Sequence, residues 1–444
     1  MSARGAVPDP SGTALPRIVV PPPGPRSRAL AARGAASETG PAVGLLNGGF
    51  PIAWAAARGA NVVDLDGNRY VDLTGGFGAA LVGHRNPRVV AAIERQAGRL
   101  LHGLGDAAPH PERVALAAEL SSRGPIRGGR VYFAGSGAEA VDLALKTAHL
   151  ATGRPGVVAF EGAYHGTSLG ALRATSRPEF RLPFEEALAP ATLRVPFADL
   201  DAALVEIDAW IGNLGKPRLG ALVVEPVLGR EGVMLPPPGW LAALGRVARE
   251  RALLVVADEI LTGGGRTGRM WASRPLDPDL VAVGKGITGG TPLAALVGRR
   301  EIMAAWETGG EARHTTTFMA HPLAVAATRA ALAEIRLRDL PARARAIGRD
   351  LRAGLARIRR RHPRLGEARG AGGLWGIDLM DPETGAPDPH LAKAVAAGLA
   401  ARGYLALAGG RHGNVIVLTP PLTITSRQLA GFLAALDATF ADHG

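Results

Sequence analysis

The stretch Leu253-Leu-Val-Val-Ala-Asp-Glu-Ile260 decides the fold. Its apolar run has no polar alternation and ends on two carboxylates. Such a run reads as a strand covered on both faces, as in a parallel sheet. Three similar runs precede it: Val131-Tyr-Phe133, Val157-Val-Ala-Phe160 and Ala221-Leu-Val-Val224. Helical patterns lie between them, at 139–150 and 241–251. Alternation of strand and helix predicts an α/β chain with a mostly parallel sheet flanked by helices. Past residue 325 the pattern turns helix-rich, at 323–337 and 342–361, with strands at 374–380 and 415–418. That predicts a second, smaller α+β domain. The expected division is a flexible arm over 1–45, a piece of the small domain over 46–80, the large domain over 81–325 and the rest of the small domain over 326–444. There is no internal repeat.

A chain of 444 residues, 47% hydrophobic, has room for a large core and about two or three domains. No run approaches the ~20 apolar residues of a membrane span. With no cysteine there is no disulfide and no thiolate metal site, which suits a reducing, cytoplasmic setting; no metal site is expected. The net charge of +12 comes from scattered arginines with few aromatics, which argues against a nucleic-acid surface. The densest run, Arg357-Ile-Arg-Arg-Arg361, follows Leu351 and Leu355 at helical spacing and reads as the wet face of a helix. The first 40 residues, rich in Pro, Gly and Arg, read as a flexible or partner-hugging arm; they are loosely like a transit peptide and lack a secretory apolar block.

Lysine is scarce. Of 51 basic residues only Lys146, Lys216, Lys285 and Lys393 are lysine, which leaves 51 − 4 = 47 arginines. Lysine can lose its proton and attack a carbonyl; arginine cannot. Lys285 sits in Val281-Ala-Val-Gly-Lys-Gly286, where flanking glycines let a substrate approach. In an open parallel sheet, ligands gather beyond the carboxyl ends of the strands. After Phe133 comes Ala134-Gly-Ser-Gly-Ala-Glu-Ala140, either an anion cradle suited to phosphate or an ordinary helix entry capped by Ser136. After Phe160 comes Glu161-Gly-Ala-Tyr-His-Gly166, either a platform for a flat ring or a tight turn with a buried tyrosine. Asp258, at the end of an apolar strand, needs a partner: a protonated ring nitrogen, a turn it caps, or Arg266. Ile260 could press on the same ring. Phosphate cradle, aromatic plate, carboxylate and lysine together suit a phosphorylated pyridine aldehyde.

Taken in order along the chain, Asp64-Leu-Asp-Gly-Asn-Arg-Tyr70, Gly83-His-Arg-Asn-Pro87, Gly135-Ser-Gly-Ala-Glu-Ala140, Gly162-Ala-Tyr-His-Gly166, Glu225-Pro226, Asp258-Glu-Ile260, Gly265-Arg-Thr-Gly268, Gly284-Lys285 and Pro420-Pro-Leu422 carry a specific likeness. Over roughly residues 50–440 the chain resembles the class III pyridoxal-phosphate aminotransferases, the ω-aminotransferase group of fold type I. The resemblance implies a homodimer using pyridoxal 5'-phosphate, bound by the large domain, to move an amino group from an amine or ω-amino acid to a keto acid. It implies Lys285 as the Schiff-base lysine and proton shuttle, and Asp258 on the pyridinium nitrogen. Tyr164 and Ile260 would cover the two ring faces, with His165 beside them. Ser136, Gly137 and Ala138 would bind phosphate, and Thr317, in His314-Thr-Thr-Thr-Phe318, would reach the partner subunit's cofactor.

Three positions depart from the family pattern. The arginine that grips a 2-oxoglutarate carboxylate is replaced by Val417, and the glutamate that masks it by Arg230. Arg230 is read either as a ligand for a substrate carboxylate or as a partner of Glu231. Arg411 is a further carboxylate candidate. His321 stands where the family usually has Asn, and is expected to cap the helix that follows. Phe77 and Trp54 are each read as a candidate pocket wall or a core aromatic, with the core reading favoured for Trp54. Aminomutases, racemases and decarboxylases share the scaffold; Gly265-Arg-Thr-Gly268 favours transfer. A non-catalytic ligand-sensing protein is the alternative of another class, and the intact Lys285 and Asp258 oppose it.

Overall fold

The structure, a computed structural model, describes residues 11–38, 51–105, 107–189, 192–307 and 311–442. By its internal contacts the chain forms two compact units, Met1–Pro87 with Arg266–Gly268 and Asp339–Gly444, and Arg88–Gly265 with Arg269–Arg338.

The second unit is built on a seven-stranded sheet. Its spatial order is Arg130–Ala134, Ala294–Gly298, Leu280–Val283, Leu254–Asp258, Leu219–Val224, Gly156–Phe160 and Thr192–Val195. The last five are mutually parallel. Ala294–Gly298 runs antiparallel to both neighbours, so Arg130–Ala134 again points in the common direction. Every residue of Leu219–Val224 and Gly156–Phe160 is buried, which is why these runs carry no polar alternation. Thr192–Val195 escaped the sequence reading because, at the sheet edge, it alternates and carries Thr192 and Arg194.

Helix Pro322–Leu337 belongs to this unit, so the boundary falls after residue 338, not at the expected 325. The cause is its packing: Arg329 pairs with Glu112 and Arg336 with Glu119, both on helix Pro111–Arg123. His321 takes the N-cap position but its side chain makes no cap bond, contrary to expectation.

The first unit holds two four-stranded sheets, one of Trp54–Arg58, Asn61–Asp64, Arg69–Asp72 and Tyr404–Leu405, the other of Leu365–Ala371, Leu374–Leu379, Val415–Leu418 and Leu407–Gly409. Asp64-Leu-Asp-Gly-Asn-Arg-Tyr70 forms the turn between two strands: Asp64 accepts from the Tyr70 hydroxyl at 2.7 Å and the Asn68 amide at 2.9 Å. Residues 11–38 correct the expectation of a flexible arm. Asn68 Oδ1 accepts from the N–H groups of Val19 and Val20, Ser27 Oγ donates to Asp66 at 2.6 Å, and helix Pro25–Ala35 follows. The rest of the expected arm, 1–10 and 39–45, lies outside the described residues.

Arg266 is fully buried in the first unit and donates to the carbonyls of Gly373, Gly78 and Pro420. Burial brings its pKa down to about 10. It is therefore a structural cation within its own unit. In helix Leu340–Arg359, Leu351, Leu355 and Ile358 are buried and the arginines from 357 to 361 exposed, as the spacing predicts. Trp54 is 40% exposed and meets His84 edge-on, so it is not a core aromatic.

Candidate active site

The chemistry-bearing segments of the large sheet all follow the carboxyl ends of strands. Helix Gly137–Thr152 starts just beyond Arg130–Ala134. Ser136 is its N-cap: its Oγ accepts from Glu139 N–H at 3.2 Å and keeps its own proton to donate. Helix geometry leaves the N–H groups of Gly137 and Ala138 without intrahelical acceptors, at the positive end of the dipole. The two readings of this segment are therefore compatible: a capped helix entry leaves N–H groups that suit an anion.

Three close approaches knit the segments together. A Cβ on Gly137 would lie 3.0 Å from Ile260 Cγ2, and one on Gly284 3.0 Å from Ile260 Cδ1. Ile260 thus packs between the helix start and the Lys285 segment. A Cβ on Gly166 would lie 2.5 Å from that of Ala138, so the Tyr164–His165 loop abuts the same helix start; its φ of +120° also requires glycine.

Asp258, the last residue of its strand and 5% exposed, accepts from His165 Nδ1 at 2.8 Å and from Ile260 N–H at 3.0 Å. His165 is buried, and its Nε2 has no hydrogen-bond partner among the described residues. Burial pulls the His165 pKa down, but the Asp258 hydrogen bond and charge, with Glu225, outweigh it and raise it. Glu225 follows strand Leu219–Val224 and accepts from the N–H groups of Tyr164 at 2.9 Å and Gly229 at 3.3 Å. Burial pushes its carboxyl up to about 7, opposed by His165 and helped by Asp258. Glu225 stood in the sequence as part of a motif without a role. The rule that singled out Asp258, an acid at the tip of a buried strand, applies to it equally.

Lys285 is half-buried and has φ of +42°, in the left-handed region that a non-glycine residue enters at a cost on the order of 1 kcal/mol. Tyr164 is half-buried, with Arg230 above its ring. Thr317 is exposed, in a segment joined to the helix start by His314 Nε2 and Glu139 Oε1 at 3.0 Å. Phe77 and Arg411 belong to the other unit. There Phe77 is 61% exposed with φ of +57°, and Arg411 is exposed ahead of strand Val415–Leu418.

A flat, phosphorylated ring suits this donor set. The cradle presents N–H groups and a hydroxyl, Asp258 retains lone pairs for a ring N–H, and an orphaned His165 nitrogen lies buried beside it. This sheet order, with these segments at its carboxyl edge, is that of a fold type I pyridoxal-phosphate enzyme. The chain belongs to the class III aminotransferases, since residues 47–440 match the family model Aminotransferase class-III. It is 38% identical to 4-aminobutyrate aminotransferase of Mycobacterium bovis, covering 96% of this chain and 98% of the relative. It is 37% identical to acetylornithine aminotransferase of Methanopyrus kandleri, covering 87% and 94%. The solved amine transaminase of an uncultivated Pseudomonas species, with pyridoxal phosphate bound, superposes with a TM-score of 0.84 at 30% identity, covering 92% of this chain and 99% of that one. The protein is thus a pyridoxal-phosphate-dependent aminotransferase that moves amino groups between amines or ω-amino acids and keto acids.

Proposed function

We propose that Lys285 carries the transfer chemistry and that Asp258 holds the cofactor's ring. When bound, pyridoxal phosphate supplies a carbonyl that takes up the amino group and a cationic ring that draws electrons from the neighbouring carbon. Ser136 and the N–H groups of Gly137 and Ala138 hold its phosphate. Tyr164 and Ile260 cover the ring, and Asp258 keeps a proton on its nitrogen. His165 donates to Asp258 from Nδ1 and so fixes the carboxylate's direction, while Glu225 braces the Tyr164 backbone. Lys285 Nζ would anchor the cofactor at rest, take the proton from the substrate's carbon and deliver it to the cofactor carbon that had carried the carbonyl oxygen.

The observation that carries this reading is the packing of Ile260 between Gly137 and Gly284, which joins the phosphate cradle and the lysine segment across one apolar side chain. The test is Lys285→Ala. The wild type with cofactor is yellow and converts a suitable amine to its carbonyl product; the variant does neither. A variant with undiminished turnover overturns the assignment.

The active form is a homodimer in which Thr317 reaches the partner's cofactor. Exposed Leu100, Leu101, Leu104 and Phe318, the last beside Thr317, support it, since exposed apolar side chains of this size mark interfaces. The setting is cytoplasmic, in keeping with a chain without cysteine; among the described residues no helix is long and apolar enough to cross a membrane.

A further inference from the structure

We propose that Arg230 receives the carboxylate of the substrate, and that this enzyme therefore prefers carboxylate-bearing amines and keto acids over plain amines. The proposal rests on the site assigned above, in which Tyr164 covers the cofactor.

Arg230 is exposed, with its guanidinium carbon 4.7 Å from the Tyr164 ring centroid and 5.5 Å from that of Phe180. The two rings meet at 5.8 Å, so the cation lies against an aromatic corner. Tyr164 is itself fixed from below: its N–H donates to Glu225, and its neighbour His165 donates to Asp258. The Arg230 backbone is fixed too, because its carbonyl accepts from Arg177 Nη2 at 2.8 Å. Arg177 is committed further to Glu179, at 3.0 Å.

Aromatic contact holds a guanidinium without satisfying its in-plane fork of N–H donors. Arg230 meets no carboxylate among the described residues. Pairing with Glu231, the bland alternative from the sequence, does not occur: the Glu231 carboxyl packs against Gly162, where a Cβ would lie 2.7 Å from its Cδ. A charged fork held in place beside Tyr164, with its donors uncommitted, matches the planar two-oxygen geometry of a carboxylate. A positive charge here also attracts anionic substrates to the site.

The test compares wild type, Arg230→Met and Arg230→Lys as cofactor-loaded enzymes. Methionine keeps an apolar contact on Tyr164 without charge; lysine keeps charge without the fork. Two readouts are taken: the Kd of glutarate, an unreactive dicarboxylate, by calorimetry, and kcat/KM for the matched pair 5-aminopentanoate and pentylamine. Loss of a charge-assisted pair predicts about ten- to hundredfold weaker glutarate binding in Arg230→Met and a similar fall in the 5-aminopentanoate to pentylamine ratio. Pentylamine loses less than 5-aminopentanoate, and Arg230→Lys recovers part of both losses. A glutarate Kd within twofold of wild type, or equal losses for the two amines, overturns the proposal. If the wild type transfers from neither amine, the donor class is wrong, and glutarate binding still decides the role of Arg230.

Discussion

Replacing Glu225 by Gln tests the electrostatics of the site's buried layer. The side chain accepts from two backbone N–H groups, and an amide oxygen can do the same, so the substitution removes titration with little change of shape. Burial raises the Glu225 carboxyl from the usual 4.5 to about 7. At about 1.4 kcal/mol per pH unit, this interval makes about 3 kcal/mol of pH-dependent stability. The sign follows from a raised folded-state pKa. The folded protein keeps the proton over a range in which the unfolded chain has lost it. The contribution is complete below 4.5 and is lost as pH rises through about 7. His165, also raised, loses stability in the same direction above its ordinary 6.5. Glu225→Gln should therefore match wild type near pH 5 and exceed it near pH 8. The advantage is bounded at about 3 kcal/mol, because the variant also forgoes the attraction of Glu225 for His165. Calorimetric Tm values of the cofactor-loaded proteins, taken across this range at one scan rate, give the comparison. Parallel curves, or a variant less stable at pH 8, refute the reasoning.

Two further substitutions probe the ring and phosphate contacts. Asp258→Asn keeps the shape beside His165 but removes the charge that retains the ring proton, so kcat should fall about 10²–10³-fold with cofactor still bound; the His165 pKa, followed by NMR, should fall as well, and near-normal turnover would contradict the role. Gly137→Val forces a branched side chain where even a Cβ stands 3.0 Å from Ile260, which should cost about 1–3 kcal/mol and weaken cofactor binding about ten- to hundredfold by equilibrium dialysis. Unchanged affinity would detach Ile260 from the site.

Strands Gly156–Phe160, Leu219–Val224 and Leu254–Asp258 were legible because central parallel strands are buried on both faces and so print as unbroken apolar runs; Leu280–Val283 and Ala294–Gly298, buried alike, were not singled out. Lys285 stood out because a chain with few lysines carries one between glycines. What escaped the sequence depends on contacts between distant residues. The arm's composition suggested mobility, yet Asn68 and Asp66 hold residues 19, 20 and 27 by specific hydrogen bonds that no composition reveals. The 325 boundary failed because the ion pairs that attach helix Pro322–Leu337 join residues more than two hundred positions apart. For Arg230 the sequence left two readings open, because its contacts with Tyr164 and Phe180, and the approach of Glu231 to Gly162, join residues far apart in the chain.

The central claim is that the amine of Lys285 is the one that bonds to the cofactor. Borohydride reduction of the cofactor-loaded protein, followed by proteolysis and mass mapping, reads this directly. The account predicts a single phosphopyridoxyl adduct, on the peptide containing Lys285. An adduct on Lys146, Lys216 or Lys393 instead, or no adduct at all, would contradict it.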